Sequence, residues 1–382
     1  MPADPYSNVS AGAAEVALRH RCSRWLNGHR PLRTMRESLL ALAGLPEAEL
    51  PPDVYGQGQA MQALEAEVAA LLGKPAACFM HKGVAAQLAA LKTWTERRDN
   101  RRVALHQQCH IALDEQDAFE ALLGLQGERL GFVDTPLNVA QLDACAAAGG
   151  PPGVAVVELP LRRAGYRLPE WSELRAISTW CRDRGVPLHL DGARLWEAAA
   201  HYDRAPAEIA ALADSVYVSF YKGLGGLAGC VLAGDEDFIA ATAPWRTRLA
   251  GNVHTLYPFV LSAREGLRRH LPRMPAYRER AQRLAAVLAA QGDALGWRVA
   301  PEPPQVNAFQ LHLPAAPVAL REGLLEVARR DGFWLGARAV ASQVLEGGSM
   351  VEIVIGDACE GWTDDEALAA WRAVLSAARS RP

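Results

Sequence analysis

Short apolar runs alternate with stretches of helical periodicity from residue 76 to residue 233, and this alternation narrows the possible folds more than any other feature of the chain. Residues 76–80, 102–106, 129–133, 154–159, 186–190, 215–220 and 229–233 read as strands. Residues 62–72, 84–94, 171–184 and 195–201 read as helices, and Gly73 and Gly185 stop the first and third. Strands joined through helices pair in parallel, and a parallel sheet needs helices on both faces. The expected fold is therefore α/β, with a large, mostly parallel sheet. After about Gly251 the order changes. Helices dominate 258–290, followed by a strand at 306–313, a helix near 324–330, a strand at 350–355 and a last helix at 364–378. That pattern reads as a smaller α/β domain. The expected division is an N-terminal segment 1–29, a large domain 30–256 and a small C-terminal domain 257–382.

Composition excludes several function classes. The 382 residues are 50% hydrophobic and 22% charged, the balance of a chain that buries a core. A net charge of -3 gives no support to binding along a nucleic-acid backbone, so no nucleic-acid partner is expected. No apolar run reaches membrane-spanning length, and the first residues lack the basic start and apolar core of a secretory leader. No membrane partner is expected. The seven cysteines are scattered and never spaced as CxxC, which argues against disulfides and a cysteine metal site and for a reducing, cytoplasmic location. His106 and His110 stand four apart without a surrounding HExxH, so no metal is expected.

Two segments carry chemistry. In Val186-Pro-Leu-His-Leu-Asp-Gly-Ala-Arg194 an apolar strand delivers Asp191 at its C-terminal end, where ligands of open α/β sheets bind. In Ser215-Val-Tyr-Val-Ser-Phe-Tyr-Lys222 a second strand ends on a lysine, and the glycines that follow let the backbone approach closely. A lysine amine that condenses with an aldehyde, a carboxylate that pairs with a protonated pyridine nitrogen and an arginine near the ring oxygen or phosphate together suit pyridoxal 5'-phosphate. Each residue alone has a plainer reading: Asp191 as a helix cap, Arg194 paired with Glu197 on a helix surface, Lys222 as an exposed turn lysine. Their order and placement favour the cofactor. The glycine segment is GxGxxxG, neither the dinucleotide nor the P-loop pattern.

At these residues the chain resembles the threonine aldolase and β-eliminating lyase family of fold-type-I pyridoxal phosphate enzymes. The resemblance runs from about Arg30 to Gly356 and is strongest in HLDGARLWEAA and KGLGGLAGCVLAG, with a further match in YGQGQAMQALEAEVAALLG. It implies a large cofactor domain with a smaller C-terminal domain, and a homodimer or homotetramer whose sites lie at subunit interfaces. It implies that Lys222 carries the cofactor, Asp191 faces the pyridine nitrogen, Arg194 lies near the ring oxygen, His110 stacks on the ring with Glu115 as its acid, and Gly83 belongs to the phosphate loop. His254 falls where the family has an arginine that assists a neighbouring subunit's phosphate site.

The departures concern mainly the substrate. The family's Ser-Gly-Thr phosphate loop is Lys82-Gly83-Val84, where Lys82 could replace the lost hydroxyls or face solvent. Glu-Asn-Thr-His becomes Glu158-Leu159-Pro160-Leu161, without the histidine expected near a substrate hydroxyl. An early serine falls near Trp25 or Asn27, and a late carboxylate-binding arginine aligns with Glu352. Arg162, Arg163 and Arg338 are substitute anchors for a substrate carboxylate. The expected function is a lyase acting at Cα of an amino acid or amine, aldolase-type Cα–Cβ cleavage of a β-hydroxy amino acid other than threonine. The alternatives are β-elimination, decarboxylation or racemisation, and a cofactor-binding protein without catalysis that acts through protein partners.

Overall fold

The computed structural model describes residues 12–30 and 34–380; the first eleven residues, part of the stretch examined for a leader, lie outside it. The chain forms two compact units, one of residues 39–273 and the other of the described residues before 39 together with those after 273.

The larger unit is built on a seven-stranded sheet. Its strands are β1 (Ala76–Met80), β2 (Arg102–His106), β3 (Gln126–Leu130), β4 (Val154–Glu158), β5 (Leu188–Gly192), β6 (Ser215–Ser219) and β7 (Cys230–Gly234), in the spatial order β1-β7-β6-β5-β4-β2-β3. Neighbours from β6 to β3 pair in parallel, while β7 runs antiparallel to both β6 and β1. Two reversals restore the direction, so β1 points the same way as β2 to β6. The C-terminal ends of six strands therefore lie along one edge of the sheet, where the fold offers a ligand site.

Helix α1 (Gln59–Leu72) ends on Gly73 in the left-handed conformation, and helix α2 (Gly83–Arg97) follows β1. Alanine and leucine are six of the eleven buried residues of α2, and only its outer edge meets solvent. It packs into the core that includes Met80, Leu105, Val156, Leu232 and Phe238, with Trp94 stacked on Phe238 at 4.5 Å between ring centroids. A buried polar chain fixes its position. Trp94 Nε1 donates to Ser215 Oγ at 2.8 Å, the same hydroxyl lies 2.8 Å from His189 Nδ1, and His189 Nε2 lies 2.6 Å from Gln87 Oε1. These bonds tie α2 to β5 and β6, and burial pushes the His189 imidazole down to about 3, so it stays neutral.

Two strands differ from the sequence reading for physical reasons. The strand expected at 129–133 is Gln126–Leu130, an edge strand whose polar residues face water, and the apolar Phe132 beyond it is 69% exposed. The strand expected at 186–190 is Leu188–Gly192, because ladder pairing continues through Asp191 and Gly192 although neither is apolar.

In the other unit, a four-stranded antiparallel sheet contains Arg298–Ala300, Ala308–Leu313, Ser349–Val354 and the short Val340–Ala341. Helices Pro317–Asp331 and Asp364–Arg379 belong to the same unit. Arg24–Trp25 pairs in parallel with Phe333–Trp334, which joins the described N-terminal residues to the C-terminal part of the chain. No described helix is long and apolar enough to cross a membrane. All seven cysteines are buried and free.

Candidate active site

The C-terminal edge of the large sheet collects most of the expected site residues. Asp191 is the fourth residue of β5 and is 2% exposed. Its Oδ1 accepts the Ala193 amide at 3.1 Å, which holds the carboxylate at the strand end. Arg194 begins the helix Leu195–Tyr202, and its guanidinium carbon lies 5.2 Å from the ring centroid of the buried Tyr166. Glu197, expected beside Arg194 on a helix surface, is instead buried at 2% exposure. Its carboxylate fills the space that a Cβ on Gly223 would need, so the backbone beside Lys222 runs directly against it.

Lys222 follows β6. Its amine has Arg194, Asp191, Glu158 and Arg162 as charged neighbours. Burial first, and then the Arg194 charge, push it down to about 8, while Asp191 and Glu158 act in the other direction. The loop that carries it is closed at its neck, where Ser219 pairs with Cys230 and the Phe220 amide donates to Gly229 O at 3.1 Å.

His110 opens a short helical turn after β2. Its backbone amide donates to Glu158 Oε2 at 2.7 Å, and its Nδ1 lies 3.0 Å from Glu115 Oε1. Glu115 is buried, and its Oε2 has no hydrogen-bond partner. Glu158 ends β4, and its second oxygen accepts the Arg162 amide at 3.1 Å. One carboxylate thus fixes two loops. Burial first, and then the Asp191 charge, raise Glu158 above the ordinary carboxyl range.

The two candidate arginines differ. Arg163 is 6% exposed and makes a two-pronged bond to Asp114, Nε to Oδ2 at 3.0 Å and NH2 to Oδ1 at 2.8 Å. Burial would raise Asp114, but the Arg163 hydrogen bond and charge hold it below the usual carboxylate range. Arg162 is half-buried, and its NH1 reaches Asp114 Oδ1 at 3.9 Å. Leu161, in the place of the family's histidine, is 2% exposed.

Gly83 is the first residue of α2, and the Tyr217 hydroxyl fills the space a Cβ there would take. Lys82 precedes it, exposed, with Nζ 5.7 Å from the centroid of the Tyr221 ring. His254 is exposed, stacks edge-on with Tyr55 at 5.1 Å and accepts the Tyr55 amide on its carbonyl.

Trp25, Glu352 and Arg338 belong to the other unit. Trp25 is 8% exposed in a cluster with Leu18, Cys22 and Trp334. Glu352 lies on the strand Ser349–Val354 opposite Gln310, and with Asn27, Gly336 and Arg338 it lines a cavity of about 190 Å³. Asn27 staples that strand, donating to Glu352 O at 2.9 Å and accepting from the Val354 amide at 2.8 Å.

Tyr217, Tyr221 and the bridging role of Glu158 were not anticipated from the sequence. The two tyrosines were visible as a pair four apart in the segment that leads to Lys222; the two acceptor bonds of Glu158 depend on tertiary register.

These residues suit a pyridoxal phosphate. A lysine amine of lowered basicity stands beside a buried carboxylate, and Gly83 opens a fifteen-residue helix whose N-terminus favours phosphate. Ser219 Oγ, three residues before Lys222, is buried without a hydrogen-bond partner.

Known proteins with this architecture define the class. A serine palmitoyltransferase from Sphingomonas wittichii shares the fold at a TM-score of 0.64 and 16% identity, over 93% of this chain and 87% of that one. The fold is that of fold-type-I pyridoxal phosphate enzymes. Two solved structures are nearer. A candidate aromatic amino acid β-eliminating lyase/threonine aldolase from Exiguobacterium sp. 255-15 is 33% identical with a TM-score of 0.84, over 94% of this chain and 99% of that one. A candidate L-allo-threonine aldolase from Listeria monocytogenes EGD-E is 32% identical with a TM-score of 0.85, over 95% and 98%. Low-specificity L-threonine aldolase 1 of Arabidopsis thaliana is 27% identical over 67% of this chain and 72% of its own length. The β-eliminating lyase family model matches residues 30–310. The chain belongs to the threonine aldolase/β-eliminating lyase family, whose members are pyridoxal-phosphate-dependent lyases.

Proposed function

We propose that the protein binds pyridoxal 5'-phosphate on Lys222 and cleaves the Cα–Cβ bond of a β-hydroxy amino acid other than threonine. The observation that carries this reading is the environment of the Lys222 amine, with Asp191, Arg194, Glu158 and Arg162 as its charged neighbours.

When bound, pyridoxal phosphate supplies an electron-withdrawing ring that accepts the electron pair of the bond broken at Cα. The protein's own groups do the rest. With its amine at about 8, Lys222 is neutral in about one molecule in ten at pH 7, enough to begin attack on an aldehyde. Asp191 supplies the negative charge that keeps a pyridine nitrogen protonated. Arg194 would donate to an oxygen of that ring. His110, whose Nδ1 is tied to Glu115, keeps Nε2 for a second partner and serves as the base for the hydroxyl proton. Arg162 anchors the substrate carboxylate; Arg163 is committed to Asp114 and instead stiffens that loop.

Leu161 supports the substrate assignment. A buried leucine cannot hydrogen-bond the hydroxyl of a small substrate such as threonine, and it favours an apolar β-substituent. The homodimer or homotetramer implied by the resemblance is part of this proposal. The experiment is a panel of β-hydroxy amino acids with aldehyde release as the readout. Release from an apolar β-substituted member, abolished in Lys222→Ala, is expected. Binding of the cofactor with no release from any member, or efficient cleavage of threonine, would overturn the assignment.

A further inference from the structure

Hydroxyl donors are missing from the loop Lys82-Gly83-Val84, yet two hydroxyls converge on it from elsewhere in the chain. Tyr217, on β6, is 3% exposed, and its hydroxyl rests where Gly83 begins α2. The hydroxyl of Tyr221 is its side-chain hydrogen-bond partner. A phenol carries one proton and accepts through its oxygen, so a pair that shares one bond keeps one proton for an outside acceptor. Tyr221 immediately precedes Lys222. Its ring centroid lies 5.7 Å from Lys82 Nζ and 6.0 Å from Lys222 Nζ. The Tyr221 side chain therefore reaches the lysine that would carry the cofactor, the lysine at the helix N-terminus and, through Tyr217, Gly83 itself.

We propose that Tyr221 is a cofactor-binding residue whose hydroxyl donates to a phosphate monoester at the N-terminus of α2. Tyr217 holds it in place, and Lys82 supplies the accompanying positive charge. This rests on the pyridoxal phosphate reading above and assigns the phosphate end of that site. A hydroxyl carried on a ring reaches further than a serine or threonine side chain. The donor can therefore come from the turn between β6 and Lys222, and the loop at Gly83 is relieved of supplying it. Gly83 has to remain glycine for the same reason, since the Tyr217 hydroxyl occupies its side-chain space.

The test uses apoprotein titrated with two aldehydes, pyridoxal phosphate and pyridoxal, the second having the same ring without the phosphate. Binding is followed by absorbance, and the phosphorus resonance of bound pyridoxal phosphate is recorded. Tyr221→Phe should weaken pyridoxal phosphate by roughly ten- to a hundredfold, the loss of one hydrogen bond to a charged acceptor. Pyridoxal should bind wild type and variant within about twofold, because its binding involves no phosphate bond. The phosphorus resonance should shift in the variant. Tyr217→Phe should give a smaller loss of the same selectivity. The pyridoxal arm doubles as a check on folding. Equal weakening of both aldehydes, or no weakening of either beside a wild type that binds, overturns this proposal alone. A wild type that takes up neither aldehyde overturns it together with the functional reading.

Discussion

Glu158 and Asp191 are register partners at the ends of neighbouring parallel strands, two buried carboxyls side by side at the edge where Lys222, Arg194 and Arg162 gather. Asp191 is placed to meet a ligand's positive charge. Glu158 spends its oxygens on the amides of His110 and Arg162.

Glu158→Gln should therefore disturb two loops at once. The amide nitrogen of glutamine would face one of those N–H groups, a cost of about 1–3 kcal/mol. Burial and the Asp191 charge raise Glu158, so its contribution to stability is present below the unfolded carboxyl value and is lost as pH rises through the folded one. The melting-temperature gap between wild type and variant should narrow as pH rises across that window. A gap independent of pH from about 4 to 8 would show that Glu158 does not titrate there.

Reduction of the cofactor-loaded protein with borohydride should leave the label on the peptide containing Lys222. A label on Lys82 or Lys92 would displace Lys222 from its role. In the apoprotein the depressed Lys222 amine has the opposite sign to Glu158: its cost is present at pH 7 and relieved as pH rises from about 8 toward 10.4. Lys222→Met apoprotein should accordingly melt higher than wild type at pH 7 and lose that advantage at pH 10, which scanning calorimetry at the two pH values would detect.

Asp191→Ala should lower turnover by at least about a hundredfold, since the ring loses the charge that keeps its nitrogen protonated. The fold should persist with a loss of about 1 kcal/mol, the value of the bond to the Ala193 amide. Arg194→Ala should be milder. Normal turnover in a correctly folded Asp191→Ala would remove the pyridine partner from the reading.

His189 makes the protein sensitive to acid. Its imidazole is held at about 3 by burial while the unfolded value is near 6.5, so unfolding takes up a proton between those limits. Stability should fall by up to about 1.4 kcal/mol for each pH unit below 6.5 from this group alone. Urea midpoints measured down this range should flatten in His189→Asn, even if that variant is weaker at neutral pH. An unchanged slope would place the acid response elsewhere.

Threonine should be cleaved slowly or not at all, and Leu161→His should improve it relative to larger β-hydroxy amino acids. The readout is the ratio of kcat/KM values for the two substrates. A ratio unmoved by the substitution would mean that residue 161 does not meet the β-substituent.

The site was legible where chemistry sits at strand ends. Asp191, Arg194 and Lys222 stand out because each ends or follows an apolar run, and local pattern alone carries that information. His110 and Glu115, five apart, were named from the family resemblance, and they do meet in the fold. Tyr217 reads only as a strand residue until the fold brings Gly83 from α2 against it. The Arg163–Asp114 bond joins residues 49 apart through two loops, and no spacing in the chain announces it. Edge strand β3 was misplaced because the apolar Phe132 and Val133 lie beyond it, on the exposed side of the turn.

The hairpin neck between Ser219 and Cys230 sets the mobility of the lysine it carries. Both ends of that loop are sewn into the middle of a sheet, and Glu197 blocks the space beside Gly223. Opening such a loop means breaking ladder bonds in the interior, so it cannot act as a swinging arm. The freedom left to the amine is that of its own four methylenes, a tether on a fixed post. Whatever travels during turnover must be the substrate, the small side chains around it or other segments of the chain, while the post stays where the sheet puts it.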